Sequence, residues 1–189
     1  MNSRKFTLFT IVSTLLFVDL ACTFNLGGPT YPYPSIQVST EAVGEMQSSF
    51  QTAVAFEGGS GQVTLSVSEA ELTSYLYFKL QGHSKPLITN PQVYLRDGQL
   101  IIYGTTSKGY FQATSSIILN AEVDEQGHLK IVLTSADFGP LPVPNGIKEI
   151  ITSTIQEAYT GALGPLATGF RLQSITISDG TMTIVGQPK

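Results

Sequence analysis

The sequence predicts an α+β fold, in which an antiparallel β-sheet packs with one long amphipathic helix and one or two shorter helices. Two Asp-Gly dipeptides, at 97–98 and 179–180, each separate two runs of alternating apolar residues, which is the pattern of a tight β-hairpin. Residues 114–133 alternate in the same way on both sides of a polar turn and indicate an antiparallel meander. Residues 147–162 carry apolar side chains at the spacing of one helix face.

The chain begins with the pattern of a secretory signal. Arg4 and Lys5 precede an apolar run from Phe6 to Val18, and small residues follow it. A helix of this length spans about 20 Å, which is short of the roughly 30 Å hydrocarbon core of a bilayer. We therefore expect residues 1–21 to be a signal peptide that is removed on export.

The single cysteine of the chain, Cys22, follows this run directly after Leu20 and Ala21. The order resembles the lipobox of bacterial lipoproteins, in which the thiol is acylated after export. Asp19 stands where that pattern usually has an aliphatic residue. A signal cut nearby, or retained as a short anchor, is the alternative. The resemblance implies a membrane-anchored protein of the cell envelope, on the outer side of the cytoplasmic membrane.

Composition divides the exported chain into a tether and one domain. Residues 22–40 are rich in Gly, Pro, Ser and Thr without hydrophobic period, which predicts a tether that lets the domain stand off the membrane or lie against it. Residues 41–189 suit a single domain. Without the signal, 8 of the 10 basic and 13 of the 14 acidic residues remain, for a net charge of −5. Nucleic acid is therefore not expected as a partner.

The first elements of the domain have clear boundaries. Residues 41–56 have helix-like spacing, and residues 63–67 alternate as a short strand. Ser68 and Glu71 form a capping box, so a helix is expected to begin at Glu69. Its apolar stripe consists of Leu72, Tyr75, Leu76 and Leu80.

The second half repeats features of the first. Three prolines at 140–144 cannot continue a central strand, and the long helix of 147–162 follows them. Strands at 170–178 and 181–186 come next. Aligning the two Asp-Gly turns sets residues 93–104 against 175–186 with the same apolar phase and the same terminal glycine. This similarity is explained either by two related units or by two independent hairpins that use the same turn.

No recognisable catalytic pattern occurs in the sequence. The Gly-rich segment 58–61 lacks the Gly-x-Ser-x-Gly spacing of a hydrolase. His83 and His128 stand 45 residues apart, too far for a short-spaced zinc motif. The carboxylates fall in turns and a helix first turn, where they have structural roles. We expect no enzyme activity, no catalytic residues, no metal and no cofactor.

The order of segments from Val63 to Gly186 resembles the LmeA-type phospholipid-binding family of bacterial envelope proteins. The segments that carry this resemblance are VSEAELTSYL, VYLRDGQLIIYG, the strand pair turning at DEQG, FGPLPVP before IKEIITSTIQEAY, and FRLQSITISDGTMTIVG. The resemblance implies a curved antiparallel sheet wrapped around the long helix, similar to tubular lipid-binding domains. It also implies that acyl chains lie between helix and sheet.

Two functions remain open from the sequence. The first is a non-enzymatic lipoprotein that binds or carries a lipid or phospholipid in an apolar groove. The second is a tethered adaptor with a packed core, which contacts another envelope protein through a sheet edge or the loop at 110–111. For the first, the expected lining comprises Leu72, Leu76, Leu100, Ile102, Ile117, Leu119, Ile131, Ile150, Ile151, Ile155 and Tyr159.

Overall fold

The computed structural model describes most of the chain between Thr23 and Pro188. The described residues are 23–55, 61–84, 86–143, 145–147, 149, 151, 153 and 170–188. Cys22, Ile150, Ile155 and Tyr159 lie outside them, as do the predicted signal and most of the long helix at 147–162.

Two helices are complete in the described part of the chain, α1 (Thr40–Ala55) and α2 (Glu69–Gln81). Both were expected, and the capping box before α2 is confirmed. The Ser68 side chain accepts a hydrogen bond from the Glu71 N–H, and the Glu71 carboxylate accepts one from the Ser68 N–H. The first-turn donors of α2 are therefore partnered locally, which fixes where the helix begins.

Nearly half of the described residues are in β-strands, which form two sheets. The strands are β1 (Phe24–Asn25), β2 (Val63–Ser68), β3 (Thr89–Arg96), β4 (Gln99–Lys108), β5 (Phe111–Val123), β6 (Leu129–Asp137), β7 (Phe170–Ser178) and β8 (Thr181–Pro188). In the five-stranded sheet, β3, β4 and β5 are antiparallel neighbours, and β6 and β1 both pair with β5. The three-stranded sheet has the order β2-β8-β7. The antiparallel strands curl into a half-barrel.

The two Asp-Gly turns join these sheets to each other. Asp97 and Asp179 have φ near +50°, and Gly98 and Gly180 have φ of 78° and 80°, as a type I′ hairpin turn requires. The Gly98 N–H donates to the Ile177 carbonyl, and the Gly180 N–H donates to the Leu95 carbonyl, each at 3.1 Å. The turns therefore bind reciprocally, each to the strand that leads into the other turn.

The similarity between the two Asp-Gly hairpins extends to the ends of their strands. Gly104 and Gly186 are the matched terminal glycines, and each lies beside an irregularity in strand register. A Cβ at Gly104 would lie 3.0 Å from the Thr89 carbonyl oxygen, and one at Gly186 would lie 3.1 Å from that of Arg171. These partners are also matched positions. Both hairpins thus use glycine for the same close approach of two backbones.

Helix α2 completes the outer edge of β3 with side chains rather than with another strand. The Val93 N–H donates to Thr73 Oγ1 at 2.9 Å, and the Leu95 N–H donates to the Glu69 carboxylate at 2.7 Å. The buried face of α2 therefore differs from the predicted apolar stripe. Thr73 and Ser74 are fully buried, whereas Leu72 is only half-buried. The polar pair is buried because it accepts backbone hydrogen bonds that would otherwise be lost.

Replacing Thr73 by valine is expected to lower the free energy of unfolding by about 1 to 3 kcal/mol, because the buried Val93 N–H loses its acceptor while the shape of the side chain is kept. Chemical denaturation measures this change. Thr64→Val is the control, because Thr64 is exposed on β2 and surface changes usually stay within about 0.5 kcal/mol. Equal stability of the two variants would contradict the role of Thr73.

The segment of residues 23–39, which we call the strap, runs along the outer face of the five-stranded sheet. Tyr31 contacts the Tyr103 ring at 5.1 Å and Tyr33 contacts the Tyr94 ring at 5.0 Å between centroids. The Tyr94 hydroxyl donates to the carbonyl of Pro34. The described part of the predicted tether is therefore docked on the fold, because its tyrosines pack on those of the sheet.

The strap is also held by polar groups. The Gln92 side chain accepts a hydrogen bond from the Ile36 N–H at 2.6 Å and donates one back to the Ile36 carbonyl. Arg96 lies 5.0 Å from the centre of the Tyr33 ring and pairs with Glu69. Burial raises the pKa of Tyr31, Tyr94 and Tyr103, because a less polar environment disfavours the charged phenolate form.

Candidate functional site

The candidate site is the inner face of the five-stranded sheet, opposite the strap. Two rows of apolar residues cross it, because directly paired residues of antiparallel strands point to the same side. One row is Leu95, Leu100, Leu119 and Leu133, and the other is Val93, Ile102, Ile117 and Ala136. Ile131, paired with Ala121, extends the face along β6. The face is apolar across four strands.

Burial is uneven over this face. Ile117 and Leu119 on β5 are 3% and 2% exposed. Leu100 and Ile102 on β4 and Leu133 on β6 pack against the same cluster but are only half-buried. The centre of the face is therefore closed, while apolar surface stays accessible on either side of β5.

The segment after the proline-rich loop covers the centre of the face. Phe138 and Leu141 are buried with Ala113, and Ile147 packs against both this cluster and the inner face. Ile151 is 7% exposed and lies in the cluster with Ile117 and Leu119. Residues 147, 149, 151 and 153 are helical. The remainder of the predicted long helix lies outside the described residues.

The structure divides the predicted lining into two groups. The inner face brings together Leu100, Ile102, Ile117, Leu119, Ile131 and Ile151. Leu72 packs instead in a separate cluster beneath the three-stranded sheet, with Met46, Phe50, Leu65 and Val67. Leu76 is half-buried on α2. The other three lining residues, and the lipidation candidate Cys22, are among those the structure does not describe.

The predicted lining left out several residues that lie on the inner face or beside it, among them Leu133 and Leu87. Leu133 alternates in phase with Ile131 along β6 and lies opposite Leu119, so the period of two was the available signal. Leu87 is half-buried beside both Ile147 and the inner face. It lies in the loop before β3, where no periodicity assigns it to a face.

Two hollows lie elsewhere in the described part of the chain. An apolar one of about 40 Å³ lies between α1 and the three-stranded sheet, lined among others by Phe50, Phe170 and Ile184. Typical small-molecule pockets are roughly 300 to 1,000 Å³, so it is too small for a lipid chain. An open cleft of about 700 Å³ lies between α1 and β2, and its lining includes Glu45, Ser48 and Thr52.

Several of the described polar groups stabilise the fold. Glu69 and Arg96 pair where α2 meets β3. The Asp124 carboxylate accepts the N–H groups of His128 and Gln126, and these hydrogen bonds hold its pKa below the usual value. Within the described residues, no three His, Cys, Asp or Glu side chains are grouped as metal ligands. The described helices include none with the length and apolar character needed to span a membrane.

No protein-family model matches the sequence, and no curated protein is significantly similar to it. Among solved structures, the chain is similar to the crystal structure of lipopolysaccharide binding protein, with a TM-score of 0.20 and 11% identity. The match covers 80% of this chain and 48% of that one, so the chain spans about half the length of that protein. The likeness is too weak to carry an argument about function.

Proposed function

We propose that this protein is a non-enzymatic lipoprotein of the cell envelope that binds a lipid acyl chain on the inner face of the five-stranded sheet. The observation that carries the proposal is the half-buried state of Leu100, Ile102, Ile131 and Leu133. Residues that point inward from paired strands are usually enclosed when their only role is packing. Here they flank the closed centre and leave an apolar surface for a ligand.

The chemistry of the face favours an acyl chain over a polar ligand. Every inward residue of the two rows is aliphatic, so the rows offer shape and apolar contact. The nearby inward hydroxyls of Thr106 and Ser115 bond each other and backbone carbonyls. Burying one methylene contributes about 0.8 kcal/mol. Affinity should therefore rise roughly fourfold for each methylene that the face covers. The net charge of −5 in the chain from Cys22 onward gives anionic headgroups little attraction.

The matched variants Leu133→Trp and Val132→Trp test this proposal. They add the same side chain at adjacent positions on opposite faces of β6, since successive residues of a strand alternate in direction. We expect Leu133→Trp to weaken binding of a fluorescent fatty acid to the full-length protein by about tenfold or more, because the ring occupies space beside Ile131. Val132→Trp should bind as the unchanged protein does.

Varying the length of the fatty acid and the salt concentration tests the proposal in a second way. Saturated fatty acids of increasing length should displace the probe progressively better, while added salt should change the affinity little, since the contact is apolar. Equal binding by both tryptophan variants, or no binding by the unchanged protein, would exclude the inner face as the lipid site.

The alternative is the tethered adaptor with a packed core. The observation in its favour is the tight contact of Ile151 with Ile117 and Leu119 at the centre of the inner face. An adaptor would retain no lipid during purification and would tolerate added bulk at Leu133 only at a cost in stability. Mass spectrometry of the intact protein in its native state separates the two functions by the presence of bound lipid.

A further inference from the structure

One end of the five-stranded sheet carries an exposed apolar surface that the proposed function does not use. Phe24 is 61% exposed, Leu26 41%, Tyr110 69% and Phe111 48%. We call these four residues the aromatic end. They are four of the seven large apolar side chains that are exposed in the described part of the chain. Such clustering differs from the scattered exposure that is usual on a soluble surface.

Backbone hydrogen bonds make the aromatic end one structural unit. The Phe24 N–H donates to the Tyr110 carbonyl and the Leu26 N–H donates to the Gln112 carbonyl, both at 2.8 Å. The Phe24 and Phe111 ring centroids lie 6.3 Å apart. The strap and the β4–β5 turn thus present their aromatic side chains together.

The polarity of these two segments suits the boundary between water and lipid. Lys108 is the one charged residue in the sequence of residues 23–30 and 107–114. It is exposed, and a lysine stem can lie along apolar surface while its ammonium group stays in water. Tyrosine is enriched at membrane interfaces because its ring is apolar and its hydroxyl is polar.

The position of the expected anchor identifies what covers this surface. Cys22 and the apolar run from Phe6 to Val18 precede Phe24 directly in the sequence. Two residues span at most about 7 Å, so an anchor at Cys22 holds Phe24 at the membrane surface. Because the strap is docked on the sheet, it cannot act as a spacer that holds the sheet away from the membrane.

We infer that the aromatic end inserts into the lipid interface, so that the domain stands with this end of the five-stranded sheet on the membrane. The inference rests on the membrane anchoring in the proposed function and is independent of lipid binding by the inner face. The occupant is the bilayer surface itself, recognised by aromatic contact. A partner protein at the same surface is the competing outcome of the test.

Single tryptophans placed in the full-length chain test the inference, since the sequence contains no tryptophan. Tyr110→Trp places the probe at the aromatic end. Phe78→Trp is the matched control, because Phe78 is a similarly exposed aromatic residue, 41% accessible, on α2. Both proteins are reconstituted into phosphatidylcholine vesicles with brominated acyl chains, and flotation shows that each is bound.

We expect the emission of the probe at position 110 to shift to shorter wavelength and to lose most of its intensity to bromine quenching, while the probe at position 78 stays unquenched. Quenching at neither position in floated protein, or equal quenching at both, would overturn the inference. An unquenched probe at position 110 would favour a protein partner there. Failure to float would instead refute the anchoring, and fatty-acid binding tests the inner face separately.

Discussion

Replacing Ile151 by alanine is expected to lower the free energy of unfolding by about 2 to 5 kcal/mol. Ile151 is 7% exposed and packs against Ile117 and Leu119 at the centre of the inner face. The variant loses the transfer free energy of the removed carbons, and a cavity remains where the strands cannot close in. Denaturant unfolding of lipid-free protein gives the value directly.

Glu149→Ala is the control for this experiment, because Glu149 is exposed in the same helical segment. Its effect should stay within about 0.5 kcal/mol apart from small changes in helix propensity. A denaturation midpoint for Ile151→Ala that matches the unchanged protein would show that this segment does not pack on the sheet. Restoration of stability by added fatty acid would indicate that the ligand fills the cavity.

Replacing Gly28 by alanine is expected to release the first part of the strap. Gly28 has φ of 126°, and a Cβ there would lie much closer to the Thr114 carbonyl oxygen than van der Waals contact allows. Because that atom belongs to the backbone of a central strand, it cannot move aside. Release breaks the backbone hydrogen bonds that Phe24, Leu26 and Gly27 make with residues 110, 112 and 114.

Loss of those three hydrogen bonds, at about 1 kcal/mol each, amounts to roughly 3 kcal/mol. Amide exchange at Thr114, which donates to the Gly27 carbonyl at 2.9 Å, should accelerate by about 100-fold. Gly27→Ala is the matched control: φ is 85° and nothing lies within 4 Å of the added carbon. Its cost is the backbone strain alone, about 1 to 2 kcal/mol. Identical exchange in both variants would refute the clash.

Local chemistry explains which parts of the fold the sequence predicts. The hairpins at 97–98 and 179–180 follow from Asp-Gly, because a type I′ turn needs two residues with positive φ. Helix α2 begins where the Ser68–Glu71 capping box places it. In these cases the residues that determine the structure are neighbours in the sequence, so periodicity and turn chemistry are sufficient.

The strap and the buried face of α2 depend on distant partners and therefore escaped prediction. A segment with Gly, Pro and Tyr has no hydrophobic period, and its docking depends on Tyr94 and Tyr103 on the sheet. Thr73 is polar, so periodicity assigns it to solvent. Only the unpaired edge of β3 explains its burial.

For the candidate site, alternation along the strands selected Leu100, Ile102, Ile117, Leu119 and Ile131, and the structure packs these five residues in one cluster. It did not separate Leu72 from them, because helical periodicity identifies an apolar stripe without saying which sheet it meets. Leu72 lies beneath the three-stranded sheet. A lipid-binding role for the inner face remains a prediction for the variants at positions 132 and 133.

The parallel pairing of β1 with β5 has a consequence for the order in which the fold would form during the proposed export. Phe24 would be among the first residues delivered, yet its partner strand begins only at Phe111. The hairpins of β3 to β6 form between near neighbours, whereas this contact closes a loop of more than 80 residues and is correspondingly slow. The strap would then dock late, after β5 has emerged, and with the proposed anchor at Cys22 the aromatic residues beside it would meet lipid before they meet their own sheet.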